Sequence, residues 1–326
     1  MSAASTAAEL TPRERGLDLV RRYGIVVVFL VLLATLTATL PQFRTTANVS
    51  NVLQQNAVIG IIACAMTFAI ISGGFDLSVG AGAALASVVG AKIMIEAGIP
   101  LGIVGALAVG LLLGLVNGTL IAYAGINPFV ATLGTATIVR GLIYVSTNAT
   151  PFFGVPMEFT VVGLGRTGPI PNATIIFLVV ALFLAFLLHQ TRFGHYVYAI
   201  GGNIVAAAEM GIAVRRVKLA VYALVGFCAA IGGIILTGQT ASGQPQAAIN
   251  YELAAITAVI VGGASLGGGR GTMAGTVLGV FLLGLVSNAL NLYGVSAFWQ
   301  PVATGLILVL AVGIDSYSRR SVFAWR

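Results

Sequence analysis

Residues 173–188 read ATIIFLVVALFLAFLL, and not one of them carries a charge. About 20 such residues in a helix cross the hydrocarbon core of a bilayer. Runs of this kind recur along the whole 326-residue chain, which is 58% hydrophobic and only 8% charged. A soluble domain carries roughly 25% charged residues. The sequence therefore predicts an all-α fold, a polytopic helical integral membrane protein, because within lipid a helix satisfies every backbone polar group by itself. The 42 glycines agree with this, since small residues let membrane helices approach closely.

Downstream of that run lies the longest polar interruption in the chain, Thr191–Lys218, reading TRFGHYVYAIGGNIVAAAEMGIAVRRVK. Arg192, Arg215, Arg216 and Lys218 make it basic, and His189 and His195 lie beside or within it. Asn203 is a good N-cap, Ile204–Met210 is alanine-rich, and Gly211 stands where a C′ glycine belongs. The pattern predicts a short exposed helix between glycine hinges at Gly201 and Gly202. An ordinary connecting loop is the competing reading.

Working outward, spans are expected near 24–40, 51–72, 77–96, 101–124, 128–147, 173–190, 218–238, 251–267, 271–292 and 297–315, about ten in all. Residues 1–23 form a polar, basic lead; an uncleaved first helix fits it better than a secretory signal peptide, given the number of later spans. With both termini cytoplasmic, twelve basic residues fall inside: Arg13, Arg15, Arg21, Arg22, Arg192, Arg215, Arg216, Lys218, Arg270, Arg319, Arg320 and Arg326. Three, Arg44, Lys92 and Arg166, fall outside, and Arg140 lies within a span. That asymmetry obeys the positive-inside rule. The chain then divides into a cytoplasmic segment 1–23, a transmembrane domain 24–317 and a cytoplasmic tail 318–326. The net charge of +7 is spread over helix ends as anchors, which argues against a nucleic-acid partner.

Between spans, the loop 148–171 contains four prolines, at 151, 156, 169 and 171. It reads as an extended outer connector or a contact surface for an external partner. Two glycine clusters invite comparison: Ile71–Ala91, ISGGFDLSVGAGAALASVVGA, and Ile260–Val280, IVGGASLGGGRGTMAGTVLGV. Aligned without gaps they share eight of 21 positions. Each follows an outward-to-inward span, so a repeat here would be parallel, with broken helices at membrane depth.

Enzymatic signatures are missing. The lysines, Lys92 and Lys218, follow Ala91 and Val217, so no phosphate-loop Gly-Lys-Ser/Thr occurs, and there is no zinc-protease helix or cysteine–histidine metal pattern. No cofactor and no metal is expected. Cys64 and Cys228 each sit inside an apolar run and read as packing residues. Polar residues at membrane depth carry the functional expectation. Asp76 lies in GGFDLSVG, where it either lines a path or, with Ser78, caps the next helix. Asn127-Pro128 starts an element whose face carries Thr132, Thr135 and Arg140, and the arginine needs a carboxylate, backbone carbonyls or water. Asn288 and Asn291, one turn apart, face a polar lumen or bond between helices.

Four segments together resemble one family. They are Gly73–Gly80 (GGFDLSVG), Asn127–Thr135 (NPFVATLGT), Phe193–Asn203 (FGHYVYAIGGN) and Gly262–Thr272 (GGASLGGGRGT), in that order along most of the chain. The chain resembles the permease subunits of bacterial ABC importers for monosaccharides of the ribose, xylose and arabinose type. The resemblance implies an inner-membrane permease without chemistry of its own. It implies as partners a cytoplasmic ATPase subunit, a periplasmic sugar-binding protein and a second permease copy or paralogue. It also makes Thr191–Lys218 the loop that docks on the ATPase, with Arg192, Gly194, Tyr198, Gly201, Gly202, Asn203, Ala207, Glu209 and Gly211 as its key positions. Relatives often carry an acid directly after the asparagine of GGN; here Ile204 stands there, and the acid comes later, at Glu209.

For the path, the expectation is a route between the second, third, fifth and ninth spans, with glycine breaks at Gly73–Gly74 and Gly134. Ser78, Thr132, Thr135, Asn288 and Asn291 would supply modest hydrogen bonds beside Asp76 and Asn127, and Phe75 and Phe129 would act as gates. Packing competes at each of these positions. An Ala207 substitution by a bulky charged residue is expected to uncouple the ATPase without unfolding an exposed helix. Importers of nucleosides, branched-chain amino acids or a signalling sugar are alternatives within the class. A stand-alone ion-coupled transporter would rely on Asp76, Arg140 and Glu252.

Overall fold

The computed structural model describes residues 12–323, with side-chain surroundings between residues 24 and 313. Residues 1–11 and 324–326, parts of the two segments expected in the cytoplasm, lie outside the described residues. The described chain contains thirteen α-helices: α1 (Pro12–Thr39), α2 (Thr46–Ile71), α3 (Val79–Ala97), α4 (Ile99–Ala122), α5 (Pro128–Thr147), α6 (Thr160–Gly163), α7 (Asn172–Gln190), α8 (Arg192–Gly202), α9 (Ile204–Glu209), α10 (Val214–Thr240), α11 (Tyr251–Val261), α12 (Met273–Leu292) and α13 (Trp299–Phe323). Seven of them (α2, α3, α4, α5, α7, α10 and α12) are long and apolar enough to cross a membrane. Three shorter apolar stretches, Gly24–Thr39, Tyr251–Val261 and Trp299–Gly313, lie where three further spans are expected.

Helix starts follow local chemistry. The Thr45 side chain accepts from the Asn48 amide to cap α2, and Asn127 Oδ1 accepts from Phe129 N at the head of α5, with Pro128 in the first turn. Thr272 caps α12 in the same way through Gly275 N.

Helix α2 occupies the centre. Its residues from Asn56 to Ile71 are buried with one partial exception, and α7, α10, α11 and α12 pack around it. Helices α3 and α4 form a second layer on α10, and α5 lies on α3 and α4. Close approach depends on small residues. In α4, Gly110, Gly114 and Gly118 recur every four positions and face α10, which runs antiparallel to it. A Cβ at Gly114 would strike the Tyr222 carbonyl oxygen, and one at Gly226 would strike the Gly110 carbonyl oxygen. The same holds between α11 and α12, where Gly262 opposes Gly275 and Gly279 opposes Ala258. This backbone-on-backbone packing is how membrane helices associate where lipid supplies no hydrophobic drive.

The expected eighth span, 251–267, is helical only as far as Val261. Its eleven residues reach about 16 Å, half the hydrocarbon thickness. The preceding segment 241–250 folds into the bundle, with Ser242, Gly243 and Ala248 buried and Ala241, Ala248 and Asn250 in left-handed backbone. Arg140, whose partner the sequence left open, is bound by backbone: its Nη1 donates to the carbonyls of Pro245 and Ala247, both at 3.0 Å. Two short strand pairs, Phe152–Phe153 with Ser242–Gly243 and Arg166–Thr167 with Ile170–Pro171, order the loop 148–171. Gly134, expected to break its span, sits inside the continuous helix α5, since a glycine inside a helix costs only about 1 kcal/mol relative to alanine and keeps its backbone hydrogen bond.

The glycine packing generates a paired test. Gly114→Val must push the α10 backbone aside, at about 1–3 kcal/mol or more. Gly141→Ala meets open space in α5 and gains up to about 1 kcal/mol of helix propensity. Thermal unfolding of the detergent-solubilised chain should fall clearly for the first and hold or rise for the second. Equal melting of both would mean that α4 and α10 are not in backbone contact.

Candidate functional site

The two glycine clusters end their helices in one and the same geometry. At the end of α2, Gly73 N donates to the Ile70 carbonyl (3.0 Å) and Gly74 N to that of Ala69 (2.9 Å), with Gly73 at φ +83°. At the end of α11, Gly263 N donates to Ile260 (2.9 Å) and Ala264 N to Val259 (3.1 Å), with Gly263 at φ +91°. Both are Schellman caps, which need glycine at the left-handed position. The structural correspondence is thus Gly73 with Gly263, one residue away from the ungapped sequence alignment, which paired Gly73 with Gly262. The left-handed glycine, rather than the first of each Gly-Gly pair, fixes the register.

The two ends meet. Gly269 N donates to the Ile71 carbonyl at 2.8 Å, and Gly201, near the end of α8, packs on the same carbonyl so tightly that a Cβ there would strike it. Tyr198 Oη donates to the Gly271 carbonyl at 2.7 Å, and burial raises the Tyr198 hydroxyl above its ordinary range, keeping it a donor. The Phe193 ring stacks on Phe68 of α2 with centroids 5.9 Å apart. Gly201 is therefore a contact residue, where a hinge was expected; Gly202, beside it, has open space around it.

The stretch Thr191–Lys218 forms two helices followed by the first turn of α10. Thr191 caps α8 through Gly194 N (3.4 Å), and Gly194 lies against the Leu188 carbonyl. Asn203 caps α9 as expected, accepting from Val205 N (3.0 Å) and Ala206 N (3.1 Å), and Gly211 follows at φ +81°. Arg192 and Glu209 are exposed. Ala207 corrects the expectation of an exposed position: it is 1% exposed and belongs to the central core cluster. The outward face of α9 is carried by Val205, 63% exposed, and, just beyond it, Met210, 73% exposed.

Most of the expected path residues gather at the α2–α3 break. Asp76 is fully buried and accepts from Ser78 N (2.7 Å), Ser78 Oγ (2.6 Å) and Asn117 Nδ2 (3.3 Å to Oδ2). Asn117 Nδ2 also reaches Ser78 Oγ at 2.7 Å, and Thr135 Oγ1 donates to Asn117 Oδ1 at 2.7 Å. Thr132 Oγ1 accepts from Leu77 N at 3.1 Å and donates to the Pro128 carbonyl at 2.8 Å. Each of these polar side chains therefore has a hydrogen-bond partner within the protein. Phe75 and Phe129 meet edge to face with centroids 6.3 Å apart, and Phe129 is 48% exposed beside the exposed Asn127. The sequence reading missed Asn117, although a lone amide in LLLGLVNGTL is itself a signal, since a polar group within an apolar run must find a partner.

Asn288 and Asn291 stand elsewhere. Asn288 exchanges two hydrogen bonds with Asn48 (3.1 and 2.7 Å), at the opposite end of α2 and about 35 Å from Ile71 along the helix. Asn291 Oδ1 accepts from Gln300 Nε2 at 2.9 Å. These are the interhelical bonds that the sequence left as the alternative. Among the described residues, no cluster of His, Cys, Asp and Glu is placed to hold a metal ion.

A bundle of spanning helices, interrupted by two matched breaks under a peripheral two-helix element, defines a polytopic membrane protein of the permease class. The chain belongs to the family described as branched-chain amino acid transport system / permease component, whose model matches residues 48–312. It is 40% identical to the ribose import permease protein of Escherichia coli (strain K12) over 295 residues, 89% of this chain and 92% of the relative. It is 43% identical to the ribose import permease protein of Bacillus subtilis (strain 168), covering 84% and 86%. The L-arabinose ABC transporter permease protein of Azospirillum brasilense is 38% identical, covering 98% and 95%. No solved structure matches the chain.

Three substitutions probe the site as folded. Asp76→Ala leaves the Ser78 and Asn117 donors without an acceptor in a dry cluster and should cost about 3 kcal/mol or more. Asp76→Asn keeps one acceptor oxygen and should cost less. Ala207→Glu should now destabilise the chain as well. Thermal unfolding in detergent decides: wild-type melting for Asp76→Ala would show that the cluster is solvated.

Proposed function

We propose that the chain is the transmembrane permease subunit of an ATP-binding-cassette importer, located in a bacterial inner membrane, and that it forms the translocation path for a monosaccharide. The observation that carries the reading is the 38–43% identity, along almost the whole chain, to permeases named for ribose and L-arabinose import. A separate ATPase subunit supplies the energy, a periplasmic binding protein delivers the sugar, and a second permease copy completes the path.

The architecture gives this reading a physical route. Helix α8 rests on the Ile71 carbonyl through Gly201 and on the 262–272 loop through Tyr198. A push on α9 from the ATPase would therefore reach the ends of α2 and α11 through α8, by the Gly201 backbone contact and the Tyr198 hydrogen bond. Such a push shifts the outward–inward equilibrium only by the ATPase's differential affinity for the two states. The Asp76–Ser78–Asn117–Thr135 cluster fixes the wall of the path, with Phe75 from the α2–α3 segment meeting Phe129 beside Asn127 at the head of α5.

Proteoliposomes with this chain, its ATPase and binding protein should accumulate sugar only when ATP is inside; uphill uptake by this chain alone would refute the reading. Within the complex, Val205→Glu and Met210→Glu should lower transport per ATP hydrolysed at least tenfold, because both change the exposed face of the α9 region. Their melting should match wild type. Transport coupled as in the wild-type complex would remove α9 from the interface.

A further inference from the structure

We infer that the groove between the end of α4, α9 and the start of α10 binds the phosphate headgroup of an anionic phospholipid. The groove has a volume of about 290 Å³. Its position follows from the helices that frame it. Ile121 and Ala122 end the 24-residue apolar helix α4, and Val214 begins the 27-residue helix α10. Both helices are of spanning length, so their ends lie at the boundary between hydrocarbon and water.

The chemistry of the lining is that of an amphiphilic anion. Arg215 and Lys218, one turn apart in α10, both line the groove, and no Asp or Glu does. Lys218 is half-buried and Arg215 is exposed. Helix α10 also begins without a side-chain cap, since Ala213 stands at its N-cap. The positive end of its dipole therefore adds to the two cations at one spot. Ile121, Ala122, Ile204 and Val214 supply apolar walls. A free phosphate ion gains nothing from those walls, whereas the glycerol and first methylenes of a lipid bury against them. Basic pockets between helix ends on one membrane face are suited to such headgroups. The inference does not depend on which solute the chain carries.

Native mass spectrometry of the full chain purified in detergent tests it, with phosphatidylglycerol and phosphatidylcholine as probes. The wild-type chain should retain phosphatidylglycerol in preference. Near a membrane surface each basic residue contributes about a fivefold gain in binding of anionic lipid. Arg215→Gln, at an exposed side chain, should therefore reduce retention about fivefold, and Arg215→Gln with Lys218→Gln about 25-fold. The charge-preserving pair Arg215→Lys with Lys218→Arg should retain the lipid, and so should Arg192→Gln outside the groove. If the double glutamine variant fails to fold, the single Arg215→Gln variant decides. Retention unchanged in Arg215→Gln, or equal retention of phosphatidylcholine, would overturn the assignment. Displacement of the lipid by millimolar inorganic phosphate would overturn it too, in favour of a soluble anion, and complete loss of the lipid on adding the ATPase subunit would make the groove a subunit contact.

Discussion

The hydrogen bond from Gly269 N to the Ile71 carbonyl, 2.8 Å long, is the contact on which the arrangement turns. A helix end buried inside the protein, as Ile71 is, leaves its last carbonyls to be satisfied by the protein itself. The end of α2 is satisfied twice over, by its own Schellman turn at Gly73–Gly74 and by the glycine-rich loop that follows α11. Because that loop donates main chain rather than a side chain, the two broken ends must lie in van der Waals contact. Gly201 of α8 then fills the remaining space above the same carbonyl. Three segments distant in sequence are joined there by main-chain contacts, with the Tyr198–Gly271 hydrogen bond and the Phe193–Phe68 stack beside them.

The same constraint explains why glycine is so frequent. Where backbone meets backbone, a single Cβ would displace a carbonyl, as at Gly114 against Tyr222 or Gly262 against Gly275. Several buried or part-buried polar side chains satisfy one another: Thr67 with Thr276 at 2.7 Å, Asn48 with Asn288, and Asp76 with Ser78 and Asn117. The basic Arg140 ends on two carbonyls of the segment that dips into the bundle ahead of α11. Each device satisfies a polar group locally, and together they hold irregular backbone inside the bundle.

For a permease this has a mechanical consequence. Side chains with many rotamers absorb a displacement, whereas close-packed main chain passes it on. A load on α9 would be carried by buried Ala207 and by α8 to the ends of α2 and α11, where the chain already departs from helix.

The sequence by itself determined the class of protein, the positions of the long apolar helices, the Asn203 cap and the Gly211 stop, because hydropathy and capping act through residues adjacent in the chain. The four glycine-rich and NPF-type segments likewise marked the family before any coordinates. Only the tertiary structure decided that Ala207 is buried, that Gly134 lies in an unbroken helix, that Gly201 is a contact, and that the repeat is offset by one residue. It alone brought Asn117 to Asp76 and separated Asn288 and Asn291 from them. The physical reason is that lipid and core are both apolar. A spanning helix shows no polar face to tell buried from exposed positions, so which residues meet is settled by backbone approach and by the partners that polar groups find there.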